Sequence, residues 1–553
     1  MEAKKTSGTH ESKTIGPFLL TGLSRPTPQV YDREPYCQTG VRGLLHDPHV
    51  VLCTACATLG GFLFGYDQGV ISVTLVMPQF IDKFPRIALT ASGAGFWKGF
   101  LTAMIELGAF LGALNQGWIA DRISRRHSIV LAVFIFTLGS ILQTAAANYA
   151  MLTVARLIGG IGIGMLSMVV PLYISEISPP EIRGALLVME ELSIVLGIVI
   201  AYWITYGTRS ITGHWAWRLP FFLQMFPAFV LLIGVTALPF SPRWLVSKNR
   251  HAEALENLAR LRSLHWTDKR VRHEFFEIVA EHRFERELRA QRHPQLQNGG
   301  RWNGIMLEIH SWIDCFRSGY RKRTWVGIGL MFFQQFVGIN ALIYYSPTLF
   351  ASMGVDYDMQ LALSGVLNIT QLVGVSTSVW TMDKFGRRAL LMTGSALMAI
   401  SHIIIAVLVG LYDKDWPSHR GPGWTSVAFL FVYMFFFGAS WGPVAWAVPS
   451  EIFPFVLRAK GVALSTCSNW LNNFIIGLIT PPLVQNTGFG AYVFFAVFCV
   501  LSGIWTVLFV PETKGRTLED MDVLFKDNVA AAAQERKRAI EAELRREDTV
   551  GDW

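Results

Sequence analysis

Long apolar runs separated by short polar connections fill most of this chain. A helix needs about 20 consecutive apolar residues to cross the hydrocarbon core of a bilayer. Six runs of that length fall near residues 50–77, 97–120, 128–147, 150–174, 184–206 and 219–239. Six more fall near 326–350, 358–381, 389–411, 424–449, 459–483 and 489–510. The pattern predicts five parts: a polar tail over 1–48, a six-helix half over 49–239, a linker over 240–325, a second six-helix half over 326–510 and a polar tail over 511–553. Within the linker, residues 251–263 (HAEALENLARLRS) carry Leu and Ala at helical spacing, so short amphipathic helices are expected there. Residues 530–546 read as one charged helix. The expected fold is all-α, with twelve transmembrane helices in two halves joined by a helical linker.

Composition turns that pattern into a membrane protein. Of the 553 residues 52% are hydrophobic and 16% charged, against about 25% charged in soluble domains. Such a chain cannot cover a water-facing surface of normal polarity. The net charge is +8. On a soluble protein that could point to nucleic acid. Here the basic residues sit in the connections, where the positive-inside rule puts them, so a membrane and not nucleic acid is the expected partner. The basic loops after spans two, six and eight share one side, expected to be cytoplasmic. An even number of spans then places both termini there. The first apolar run begins only near Val50 and is long enough to span, so it reads as an uncleaved anchor. Cys53 and Cys56 have CxxC spacing but no second pair. Neither a metal site, a redox site nor a cofactor is expected.

The chain repeats itself. Asp121-Arg122-Ile123-Ser124-Arg125-Arg126 follows the second span, and Asp383-Lys384-Phe385-Gly386-Arg387-Arg388 follows the eighth, 262 residues on. Glu176, with Arg183 seven residues beyond, follows the fourth span; Glu451, with Arg458 seven beyond, follows the tenth, 275 residues on. Two homologous halves in parallel repeat are a plan of secondary transporters. Topology alone needs no acids. Asp121, Arg125, Arg126, Glu176 and Arg183, with Asp383, Arg387, Arg388, Glu451 and Arg458, are therefore expected to form salt bridges across the cytoplasmic helix ends. These would hold one conformation shut and break as the inside opens.

With these motifs the sequence resembles the sugar porter family of the major facilitator superfamily, from about Gly60 to Glu519. The resemblance is carried by the paired D-x-x-x-R-R loops, Arg156-x-x-Gly159-Gly160-x-Gly162 and Pro239-Phe240-Ser241-Pro242-Arg243. It continues through Gln334-Gln335-x-x-Gly338-x-Asn340, Tyr344-Tyr345, Gly442-Pro443 with Trp446, and Pro511-Glu512-Thr513-Lys514-Gly515. With Gly65-Tyr66-Asp67-Gln68-Gly69-Val70 in the first span, it is most similar to fungal monosaccharide transporters.

Gln334, Gln335 and Asn340 lie in one span, and amides both donate to and accept from the hydroxyls of a neutral sugar. The resemblance implies that they bind substrate, with Asn368, Trp446 and Asn473 completing the pocket. Asn368-Ile369-Thr370 also matches a glycosylation acceptor, but it lies within a span. Asp67 is an acid inside the first span and needs a counter-charge or a proton. Arg156 in the fourth span can pair with it, and the resemblance implies proton coupling through the two. The expected mechanism is rocking of the halves about a midplane site, with Asp67 taking a proton from outside.

Three departures stand out. Glu191, preceded by Glu190, replaces a sugar-binding Gln of the fifth span; it is expected to line the pocket, to bias the choice of sugar or polyol, and to offer a second proton site. Ser124 replaces a turn glycine, so local geometry is expected to shift. Phe240 replaces an acid, which removes one member of the salt-bridge network. The function implied is transport of a monosaccharide, a hexose such as glucose, as sugar–proton symport in the plasma membrane. Alternatives are facilitated diffusion of a hexose, pentose or polyol, or a sugar receptor that does not transport, disfavoured by the short tail. No HExxH or GxSxG motif supports an enzyme. A multidrug antiporter would lack the Q-Q-x-x-G-x-N signature.

Overall fold

The structure is a computed structural model that describes residues 36, 48–179, 181–296, 300–317, 319–413, 415–453, 457–514, 521, 525 and 528–550. Most of the polar segment 1–48 therefore lies outside the described residues, as do the side chains of Arg183 and Asp383. Twelve helices are long and apolar enough to cross a membrane. In the first half they are Pro48–Thr74, Ala94–Ile123, Arg125–Thr144, Tyr149–Ile177, Gly184–Thr208 and Trp215–Ala237. In the second they are Arg321–Ala351, Tyr357–Met382, Arg387–Tyr412, Arg420–Ile452, Arg458–Thr487 and Gly490–Phe509. Large apolar side chains such as Phe226, Ile233, Trp380 and Leu508 point outward, which is stable only against lipid.

Several spans run past their apolar windows because the polar turn residues continue the helix. Two are broken. The seventh divides at Gly338, where φ is +103°, into Arg321–Phe336 and Ile339–Ala351. The tenth divides at Ser440 (φ −132°, ψ −81°) into Arg420–Ala439 and Trp441–Ile452. Glycines bring the second and fourth spans into backbone contact: a Cβ on Gly160 would lie 2.0 Å from Ile105 O, and one on Gly164 1.9 Å from Ala109 O. Small residues at this spacing are how membrane helices approach without side chains between them.

The linker forms helices Pro242–Ser247, His251–Leu261, Lys269–Arg292 and Arg301–Asp314. The tail helix Asn528–Val550 buries Ile540 and Leu544 in one cluster with Ala280 and Phe284 of the third of these. Arg262 of the linker donates to Ile177 O at the end of the fourth span, 2.7 Å away.

The halves meet at the end opposite the basic turns. Tyr202 Oη donates to Leu361 O (2.7 Å), Tyr357 Oη donates to Val76 O (3.2 Å), and Arg209 pairs with Asp358 (2.7 Å). That end is closed.

Candidate functional site

A polar cavity lies between the halves, where the seventh and tenth spans break. Gln334 and Gln335 reach it from just before the Gly338 break and Asn340 from just after it. Trp446, Asn469, Asn473 and Gln371 line it from the same half. The first half contributes Phe64, Gln68 and Glu191 with apolar Ile194 and Ile198. It has about 50 Å³ of room for the centres of water molecules, enough for a few waters.

The amides also hold the breaks together. Gln334 Nε2 donates to the carbonyls of Trp441 (3.1 Å) and Gly442 (3.0 Å), two groups at the tenth-span break. Asn469 Nδ2 donates to Gln334 Oε1 at 2.6 Å, and Asn340 Nδ2 to Gln335 Oε1 at 2.7 Å. Irregular backbone at membrane depth survives only where such partners or a wet cavity meet it. Asn368 stands apart. It is buried, neither of its amide atoms has a hydrogen-bond partner among the described residues, and it is not on the cavity wall; Gln371, one turn on, is.

Behind the cavity Arg156 and Asp67 come together at 3.6 Å, both side chains 1% exposed. Arg156 is fixed on the second span, donating from Nε to Leu101 O (3.0 Å) and from Nη2 to Thr102 O (3.3 Å). Glu106, one turn further along that span, was not among the expected site residues. Tyr344 Oη donates to Glu106 Oε1, Asn473 Nδ2 donates to Oε2 (2.9 Å), and Gln68 Nε2 donates to Tyr344 Oη (2.9 Å). The signal for it was present: an acid inside an apolar run, the feature that singled out Asp67.

At the basic turns, the ion pairs between described residues stay within each half. Arg125 pairs with Glu176 (2.8 Å) and Asp121 (3.0 Å), and Arg387 pairs with Glu451 (3.0 Å). Arg126 donates to the carbonyls of Leu238 and Thr236 and lies over the Phe240 ring. Arg388 donates to Val507 O, and Arg458 to Phe453 O at 3.5 Å. The geometry expected at Ser124 does not shift: its φ is +93°, beside +91° at Gly386.

Two repeated six-helix halves around a polar cavity at broken helices define a secondary transporter. Residues 53–525 match the family described as "Sugar (and other) transporter", and the chain belongs to it. The probable glucose transporter rco-3 of Neurospora crassa is 33% identical over 84% of this chain and 77% of its own length. Sugar transport protein 1 of Arabidopsis thaliana is 30% identical, over 87% of this chain and 90% of its own. Among solved structures, the proton:xylose symporter XylE bound to 6-bromo-6-deoxy-D-glucose superposes with a TM-score of 0.71 at 29% identity, covering 86% of this chain and 99% of that one. The inward-open form of XylE from E. coli gives 0.66 at 28% identity, over 86% and 100%. The fold is the major facilitator fold.

Proposed function

We propose that this protein carries a monosaccharide, a hexose such as glucose, across the plasma membrane together with a proton, with both termini and the 240–325 linker in the cytoplasm. The observation that carries the proposal is the cavity, whose second-half wall gathers the uncharged amides Gln334, Gln335, Asn340 and Asn473 around one indole, with Glu191 and apolar side chains facing them from the first half. Amides match hydroxyls in both directions, and Trp446 offers a flat apolar face to a pyranose. The relatives named as glucose and sugar transporters, and the proton:xylose symporter, support the same substrate class. The buried Asp67–Arg156 pair supports coupling, since a carboxylate at this depth needs a cation or a proton.

In this proposal Gln334, Gln335, Asn340, Trp446 and Asn473 hold the sugar, and Glu191 sits opposite them. The cavity must widen to admit a pyranose, which rocking of the halves supplies. The pairs Arg125–Glu176 and Arg387–Glu451 brace each half at its cytoplasmic end. The test is initial uptake of labelled glucose in cells lacking their own hexose transporters, with and without a protonophore. Uptake that the protonophore abolishes is expected. Uptake that survives would make the protein a facilitator with a structural Asp67. No uptake of glucose, pentoses or polyols by protein at the cell surface would overturn transport.

A further inference from the structure

We propose that Glu106 is the second carboxyl of the proton site: Asp67 and Glu106 share the one guanidinium of Arg156, and Glu106 ties that cluster to the second half through Tyr344 and Asn473. The proposal rests on the proton-coupled reading above. Arg156 is moored to the second-span carbonyls of Leu101 and Thr102, and Glu106 lies one turn beyond them on the same helix. The groups facing Glu106 are Arg156 from the fourth span, Asp67 from the first and Tyr344 from the seventh, with neutral Gln68 and Asn473 beside them. One cation therefore faces two acids. Two carboxylates and one guanidinium out of water leave an uncompensated negative charge, which is costly. One proton makes the cluster neutral.

The two acids are placed differently. The oxygens of Asp67 have no hydrogen-bond donor among the described residues, only the guanidinium at 3.6 Å. Glu106 is in the first half, yet its donors Tyr344 and Asn473 belong to the second. An ionised Glu106 accepts from both and ties the halves together. A protonated one carries its own O–H, so the bond from Tyr344 must reverse or open. Asn473 also lines the cavity, which puts Glu106 one side chain away from bound sugar. The proton enters from water on the open side and leaves to water on the other.

The test uses the full chain in cells without hexose transporters, with surface amount read from a fluorescent tag. The readouts are steady-state accumulation of a non-metabolised glucose analogue and the pH profile of its initial uptake. Wild type is expected to accumulate about tenfold per unit of inward pH gradient for one coupled proton. Glu106→Gln is expected to equilibrate sugar without accumulating it and to show a flat pH profile, and Glu106→Asp to restore both. Wild-type accumulation and pH profile in Glu106→Gln, or no rescue by Asp, would overturn the proposal. If Glu106→Gln does not reach the surface, Tyr344→Phe decides: lower accumulation at normal surface amount supports the link, and unchanged accumulation overturns it. Protonophore-resistant uptake by wild type would instead sink the coupled reading itself.

Discussion

The two halves repeat one fold but divide the chemistry. Around the cavity the first half supplies the charged side chains: buried Asp67, Glu106 and Arg156, and the half-buried, cavity-facing Glu191, with one amide, Gln68. The second half supplies amides and an indole: Gln334, Gln335, Asn340, Gln371, Trp446, Asn469 and Asn473. The helix breaks at Gly338 and Ser440 are also in the second half, and its amides satisfy the carbonyls there. A duplicated scaffold thus gives one half to a neutral polar ligand and the other to charge. The lesson is that repeat symmetry locates the site at the interface and says nothing about which half does what.

That division can be broken by experiment. The largest effect is expected from Gln334→Ala. It removes two bonds to carbonyls at the tenth-span break and an acceptor for Asn469. Gln334 also faces the cavity, and a lost hydrogen bond to a sugar hydroxyl is worth about 0.5–1.5 kcal/mol, so the KM for labelled glucose should rise up to about tenfold. An unchanged KM would mean that the second half does not hold the sugar. Glu191→Gln should act on selectivity instead. A carboxylate in the wall repels an anionic sugar, and a pair at an effective dielectric near 20 is worth a few kcal/mol. Competition by glucuronate against glucose uptake should strengthen about tenfold in the variant, with the glucose KM nearly the same. No change in competition would place Glu191 off the sugar path.

Much of this was legible in the sequence, for identifiable reasons. Hydropathy placed the spans because lipid tolerates so few polar residues, and the D-x-x-x-R-R and Glu-to-Arg repeats paired the halves. Asp67 and Arg156 could be matched because each is costly alone at that depth. The cavity wall was harder to read. Asn368 and Gln371 are one turn apart, and only the packing of the eighth span decides which of them faces inward. The partners of the basic turns were hidden too. Charge spacing predicts that Arg125 and Arg387 meet acids, but only the fold shows that each pairs inside its own half, Arg125 with Glu176 and Arg387 with Glu451. Glu106 carries the same signal as Asp67, an acid inside an apolar run, but its direct partners Tyr344 and Asn473 are neutral and distant in sequence, so only the fold assigns them.

The basic turns carry the comparison to its smallest scale. In the second half Glu512 accepts from the backbone N–H groups of Arg387 (3.0 Å) and Arg388 (3.1 Å) at the start of the ninth span. A Cβ on Gly386 would lie 2.5 Å from that carboxylate, so the turn needs glycine for room as well as for φ. Glu512→Ala removes this helix cap and should cost about 1 kcal/mol, read as a lower midpoint of thermal unfolding in detergent. In the first half Phe240 stands where the acid would be and stacks on Trp244.

With no carboxylate in the way, Ser124 is tolerated at φ +93° and ψ 159°. Its Oγ accepts from His127 N at 3.2 Å, which offsets part of the strain. That backbone region is nearly exclusive to glycine and costs another residue about 1–3 kcal/mol. Replacing a serine cap by glycine loses only a few tenths of a kcal/mol. Ser124→Gly should therefore stabilise the protein by about 1 kcal/mol, and Gly386→Ser should destabilise it by more, since it meets both the strain and the Glu512 carboxylate. Equal and opposite shifts in the unfolding midpoint would mean that Glu512 plays no part. A larger loss at Gly386, removed when Glu512→Ala is added, would show that the acid, and not the turn alone, keeps glycine in the second half.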